Sequence, residues 1–238
     1  MRTTRRYNIA VAIGVGLASG AGMGLVAIDV LDAPFGYPLR ALTAFAALLA
    51  GVVWVSGDDH AHPEVGPANY VTAIRAALVA LVASAVGAPA TPSMLWVLVA
   101  LTIVASALDG VDGWVARRTG TTSGFGARFD METDALLILV LSVLVWEQEK
   151  AGVWVLLCGL MRYGFVAAGW LLPWLARPLR STSRGKAVAV GQVLGLTLAL
   201  APVVPVRFST PVAACALATL AWSFAIDVRW LSRQTRTT

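Results

Sequence analysis

Apolar runs of similar length follow one another along the chain, at about residues 9–30, 39–56, 68–88, 94–115, 130–147, 151–173, 187–205 and 209–230. Each is close to the ~20 residues that cross a bilayer core as a helix. This repetition leaves few folds open, because a segment in lipid must satisfy its own backbone hydrogen bonds. Turn-formers separate the runs, among them Asp32-Ala-Pro34, Gly87-Ala-Pro89, Pro202 and Pro205. Composition points the same way: 58% of residues are hydrophobic and only 13% charged, against about 25% charged in a soluble domain. The expected fold class is an all-α integral membrane protein.

The net charge of +5 does not imply a nucleic-acid partner, because the basic residues collect in alternate loops, as the positive-inside rule requires. With the N-terminus in the cytoplasm, only Arg40, Lys150 and Arg207 fall on the far side and Arg162 lies inside a run. The other Lys and Arg residues, Arg75 among them, fall on the cytoplasmic side. An odd number of spans would scramble this asymmetry, so it supports eight. Arg2, Arg5 and Arg6 precede the first run as in a secretory leader, but the run exceeds the usual apolar core and no A-x-A site follows. It reads as a signal-anchor helix. Cys158 and Cys215 lie in separate apolar segments without metal-ligand spacing and read as packing residues.

Within the first run, Gly16, Gly20 and Gly24 repeat at four-residue spacing, which permits close helix packing but is also common in membrane helices. A polar linker follows the second run. Its His60 and His62, with Asp58, Asp59 and Glu64, read as a solvated connection rather than a metal site, since nothing fixes their geometry.

The stretch that carries chemistry is Asp109-Gly-Val-Asp112-Gly113-Trp-Val-Ala116-Arg117, followed by Gly126-Ala-Arg-Phe-Asp130-Met-Glu-Thr-Asp134. Asp109 and Asp112 are three apart and Asp130 and Asp134 four apart, so each pair shares a helical face. A short connection makes the two helices antiparallel neighbours, and the pairs converge. Anions gathered beside lipid are costly unless something neutralises them. Hard oxygen ligands suit Mg²⁺, Mn²⁺ or Ca²⁺, and bound divalent ions invite a diphosphate. A spare carboxylate can take a proton from an incoming hydroxyl. Gly110, Gly113 and Gly126 leave room for a nucleotide near the backbone, and Arg117 can grip a phosphate. The competing reading is that these aspartates are solvated helix-end charges. It is weakest for Asp109 and Asp134, which lie inside their helices.

The pattern D-x2-D-G-x2-A-R-x8-G-x3-D-x3-D is matched here at every fixed position, and it resembles the signature of the CDP-alcohol phosphotransferase (CDP-alcohol phosphatidyltransferase) family. The segment Pro67-Ala-Asn69-Tyr-Val-Thr72-Ala-Ile-Arg75 is similar to the family's lead into its first core helix. The resemblance spans about residues 67–233 and implies a six-helix catalytic core. It leaves 1–57 as a two-helix transmembrane extension, 58–66 as a linker and 234–238 as a cytoplasmic tail. It implies that Asp109, Asp112 and Asp130 ligate metal, two Mg²⁺ or Mn²⁺ ions, with Asp134 completing the site and acting as the base. Gly113, Arg117 and Gly126 would border the CDP moiety. Asn69 and Thr72 would be further nucleotide contacts, or alternatively a helix cap. The reaction implied transfers a phosphatidyl group from a CDP-linked lipid, CDP-diacylglycerol first, to a polar alcohol with release of CMP. Family members are homodimers, and the implied setting is the cell inner membrane with the site and both termini cytoplasmic.

The acceptor is less legible. Arg162, inside an apolar run, holds an acceptor phosphate or pairs with a core carboxylate. Arg184 and Lys186 belong to a basic loop that topology alone also explains. Gly185-Lys186 and Gln192 look similar to the corresponding segment of phosphatidylglycerophosphate synthases. These residues favour a phosphorylated polyol, glycerol 3-phosphate ahead of inositol phosphate. A membrane prenyltransferase would separate its two acidic motifs widely, whereas these carboxylates lie between 109 and 134. A transporter would carry charges near the midplane of an internally repeated chain. A catalytically idle family member would not need all four aspartates.

Overall fold

The computed structural model describes residues 36–56, 67–119, 124–176 and 182–234. The first apolar run, its glycine repeat and the histidine-bearing linker lie outside the described residues. The helices are α1 (Tyr37–Ser56), α2 (Pro67–Ala83), α3 (Pro92–Thr119), α4 (Gly124–Glu147), α5 (Leu157–Leu171), α6 (Ser183–Leu200) and α7 (Val206–Gln234). Short 3₁₀ turns, Val153–Leu156 and Pro173–Ala176, flank α5. No strand occurs among the described residues. Among the described residues, three stretches are long and apolar enough to cross a membrane: Pro92–Val111, Val153–Leu171 and Val206–Gln234. The chain is an all-helical membrane protein. Other expected spans inside the described residues also form helices, but α2 is short and α4 and α6 carry charged residues within their first two turns.

Local chemistry sets the helix ends. Pro92 opens α3, where a missing N–H costs nothing, and Thr91 Oγ1 accepts from Met94 N at 3.2 Å. Thr182 caps α6 by accepting from Gly185 N at 3.1 Å. Ala201, at φ −55° and ψ 132°, is driven out of the helical region by Pro202 and ends α6. Gly87, at φ 71°, makes the left-handed turn between α2 and α3 that a side chain would disfavour.

The chain forms two compact units, Met1–Leu137 and Ile138–Thr238. In the first, α2 is buried almost all round, from Ala73 through Val82 apart from Ile74. Its small residues Ala73, Ala76, Ala77 and Ala80 form one cluster with Phe45 and Leu48 of α1 and Phe129 of α4. Alanine lets neighbouring backbones approach closely, and apolar packing of this kind replaces the hydrophobic drive that lipid does not supply. Tyr37 Oη donates to Leu81 O at 2.6 Å, so α1 shares its core with the helices that follow it.

In the second unit α4 and α5 meet at backbone distance: a Cβ on Gly159 would overlap Leu139. Helices α6 and α7 form a hairpin in which buried Gln192 donates to Ala216 O and Ser209 Oγ donates to Ala199 O at 2.9 Å. Lys150 Nζ donates to Ala201 O and Val204 O beyond the C-terminus of α6, where a cation suits carbonyls left without helical partners. Cys158 is buried, as a packing residue should be, but Cys215 is exposed. It lines a shallow apolar groove of about 640 Å³ along α6 and α7.

Candidate active site

Arg75 lies on the third turn of α2, within an otherwise apolar stretch, and its side chain is only 2% exposed. A buried guanidinium keeps its charge and must find acceptors. It finds them on two other helices. Arg75 Nη1 lies 3.1 Å from Asp109 Oδ1 on α3 and also donates to Asp130 Oδ1 on α4, while Nη2 donates to Asp134 Oδ1. One planar fork thus holds three carboxylates.

The same three aspartates each offer a carboxylate oxygen within 4.8 Å of the others. The spacing of Asp130 and Asp134 on one face of α4 places them side by side, and Asp109 reaches them from α3. Their side chains are 37, 38 and 35% exposed for Asp109, Asp130 and Asp134. The cluster is therefore closed by arginine beneath and accessible to small ions from outside. Among the described residues, three carboxylates share this one guanidinium. All-oxygen donors so close together fit a hard divalent cation.

Other expected site residues are distributed around this cluster or away from it. Asp112 lies on α3 one turn beyond Asp109, but its side chain, with those of Asn69 and Arg117, is outside the described residues, as is the surrounding of Gly113. Gly126 occupies the first turn of α4, four residues before Asp130. A Cβ at Gly110, next to Asp109, would meet open space, so the backbone there is approachable. Thr72 is buried, three residues before Arg75 on α2. Arg162, Arg184 and Lys186 all belong to the second unit. Arg162 lies on α5 within the apolar stretch Val153–Leu171. Arg184 donates to Asp227 Oδ1 and to Ser223 O at 3.2 Å, with its guanidinium 5.9 Å from the Trp222 ring centroid. Its charge therefore ties α6 to α7. Lys186 is exposed.

Arg75 stands in the site, whereas charge distribution along the chain places it among the cytoplasmic charges. The signal was present: an arginine two turns into an apolar helix needs a partner, and the acidic pairs needed a cation.

Apolar helices of membrane-crossing length, joined to a half-open cage of carboxylates, define a membrane-embedded protein whose acidic cluster suits a hard cation. Residues 66–226, well over half of the chain, match the family model described as CDP-alcohol phosphatidyltransferase, and the chain belongs to that family. Its members are transferases that move phosphatidyl groups from CDP-alcohols in phospholipid synthesis. No curated protein and no solved structure matches the chain. The family uses divalent metal, and the donor set of Asp109, Asp130 and Asp134 fits it.

Proposed function

We propose that this protein transfers the phosphatidyl group of a CDP-linked lipid, CDP-diacylglycerol first, to the hydroxyl of a polar alcohol with release of CMP. The observation that carries the reading is the approach of Asp109, Asp130 and Asp134 to within 4.8 Å of one another, inside a family match that covers the whole acidic signature. Asp109, Asp112 and Asp130 would hold Mg²⁺ or Mn²⁺, two ions in the full site, with Asp134 completing it. When bound, the ions neutralise the diphosphate and stabilise the oxygens that attack and leave. Asp134 receives the proton of the acceptor hydroxyl. The acceptor oxygen bonds to the lipid-linked phosphorus as the bond to CMP breaks, and CMP departs with that electron pair. Gly113, Arg117 and Gly126 border the cytidine diphosphate, with Asn69 and Thr72 on the α2 side.

For the acceptor, a phosphorylated polyol is the preferred class, glycerol 3-phosphate before inositol phosphate, with Arg162, Arg184 and Lys186 as its candidate contacts. The proposed setting is a homodimer in the cell inner membrane, with the site and both termini cytoplasmic. Supplying the purified protein with radiolabelled CDP-diacylglycerol, Mg²⁺ or Mn²⁺ and a panel of alcohols tests the reading. A labelled phosphatidylglycerophosphate product is expected with glycerol 3-phosphate. Failure to release CMP with every acceptor on the panel, and also after exchange of the diacylglycerol donor for other CDP-alcohols, would reject it.

A further inference from the structure

Three carboxylates meeting at the edge of a membrane pose a charge problem whenever no metal is bound. Asp109, Asp130 and Asp134 come from two helices, and their mutual repulsion would push α3 and α4 apart at this level. Arg75 answers that repulsion from a third helix. It contacts all three aspartates, from the buried side, with a group that cannot relieve its own charge by losing a proton. An arginine needed only to fasten one helix to another would require a single partner. We propose that Arg75 is the built-in counter-cation of the cage. It is a positioning residue that keeps the aspartates gathered in the metal-free protein and competes with divalent metal for their oxygens, and it yields part of its hold as the site loads. The inference rests on the reading of this cage as a metal centre.

The competition has a sign that distinguishes it from a purely structural role. Removing the Arg75 charge takes a permanent cation away from the place where another cation must bind, so metal affinity rises. The same change takes from the aspartates a cation that all three share, so the metal-free protein loses stability and metal returns it. A simple fastening residue would lower stability equally in both conditions, and its loss would loosen the cage and weaken metal binding.

The test uses the full chain in lipid nanodiscs with Mn²⁺ as the probe, comparing wild type, Arg75→Gln, Arg75→Lys and Asp130→Asn. Mn²⁺ affinity is read by electron paramagnetic resonance, and thermal stability by tryptophan fluorescence in EDTA and in saturating Mn²⁺. Arg75→Gln is expected to bind Mn²⁺ at least about tenfold more tightly than wild type, ~1.4 kcal/mol, and to gain more in melting temperature from Mn²⁺ than wild type does. Arg75→Lys keeps the charge but cannot fork across several carboxylates, and should fall between the two. If Arg75→Gln does not fold without metal, Arg75→Lys carries the comparison. Variants that bind Mn²⁺ no more tightly than wild type, or that lose stability equally with and without it, would overturn the inference while Asp130→Asn still abolishes binding. Wild type failing to bind Mn²⁺ at all would overturn the metal centre and this inference together.

Discussion

Asp134 has two tasks to reconcile. Its Oδ1 accepts from Arg75, and the proposed mechanism also asks it to take a proton from the acceptor. A carboxylate has two oxygens and about four acceptor positions, so the ion pair with Arg75 does not by itself occupy them all. Asp134→Asn preserves the shape and an acceptor oxygen for Arg75 but removes the basicity. Turnover, measured as CMP release, should fall about 10²–10⁴-fold, while binding of the CDP-lipid changes little; a fully active variant would remove Asp134 from the base role. Asp109→Ala or Asp130→Ala should instead abolish both CMP release and Mn²⁺ binding, because each removes a ligand from the cage. The convergence of Asp109 with Asp130 and Asp134 could be read from spacings of three and four along two neighbouring helices. Arg75 could not be placed in the same way. Its partners are 34, 55 and 59 residues away, and no local rule links positions so distant. The principle that singled out Arg162 as an intramembrane cation applied equally to Arg75, but a charge count by loops hid it.

At the level of elements, the apolar runs located the helices and misjudged several ends. The run expected from residue 130 belongs to α4, which begins at Gly124. Hydropathy registers lipid-facing residues, whereas the helix continues through Arg128, Asp130 and Glu132 because nothing in that stretch interrupts its hydrogen bonding. The extension matters, since it seats Asp130 and Asp134 on formed turns with fixed side-chain directions. The same reasoning covers α3, which continues past the expected end near residue 115 to Thr119. Helix contacts were less legible than helix positions. Gly159 looks like any membrane glycine in the sequence, yet the backbone of Leu139 fills the space its Cβ would need. Gly159→Leu should therefore destabilise the second unit by about 1–3 kcal/mol through overpacking, seen as a lower melting temperature in detergent. A substitution at Gly164, where a Cβ meets nothing within 4 Å, is the matched control and should be nearly silent.

For the whole molecule, the proposed metal-dependent reaction at a half-open cage has a direct consequence. Chelation with EDTA should stop phosphatidyl transfer, and added Mg²⁺ or Mn²⁺ should restore it in full, because ligands a third exposed exchange ions without unfolding. Irreversible loss, or unaltered activity in chelator, would contradict the metal assignment. The molecule also distributes its charges differently from a loop-by-loop tally. Arg184 is joined to Asp227 between α6 and α7, and Lys150 serves the carbonyls where α6 ends. Such residues count toward topology and hold helices together at the same time. Loop charge therefore says nothing about which cations are available to substrate.

Sequence alone determined the environment, the helical class and the family chemistry. Those properties follow from run length, composition and acidic residues spaced within one or two turns, all of them local along the chain. The acidic signature was legible for the same reason, since helical periodicity turns spacing into a shared face. Tertiary structure alone decided what neutralises the cage and which helices touch. Arg75 reaches Asp109, Asp130 and Asp134 only because α2, α3 and α4 pack together, and the alanines that allow α2 to be so closely surrounded carry no chemical mark of their own. Charge compensation and close packing depend on distances through space, which the order of residues along a chain does not specify.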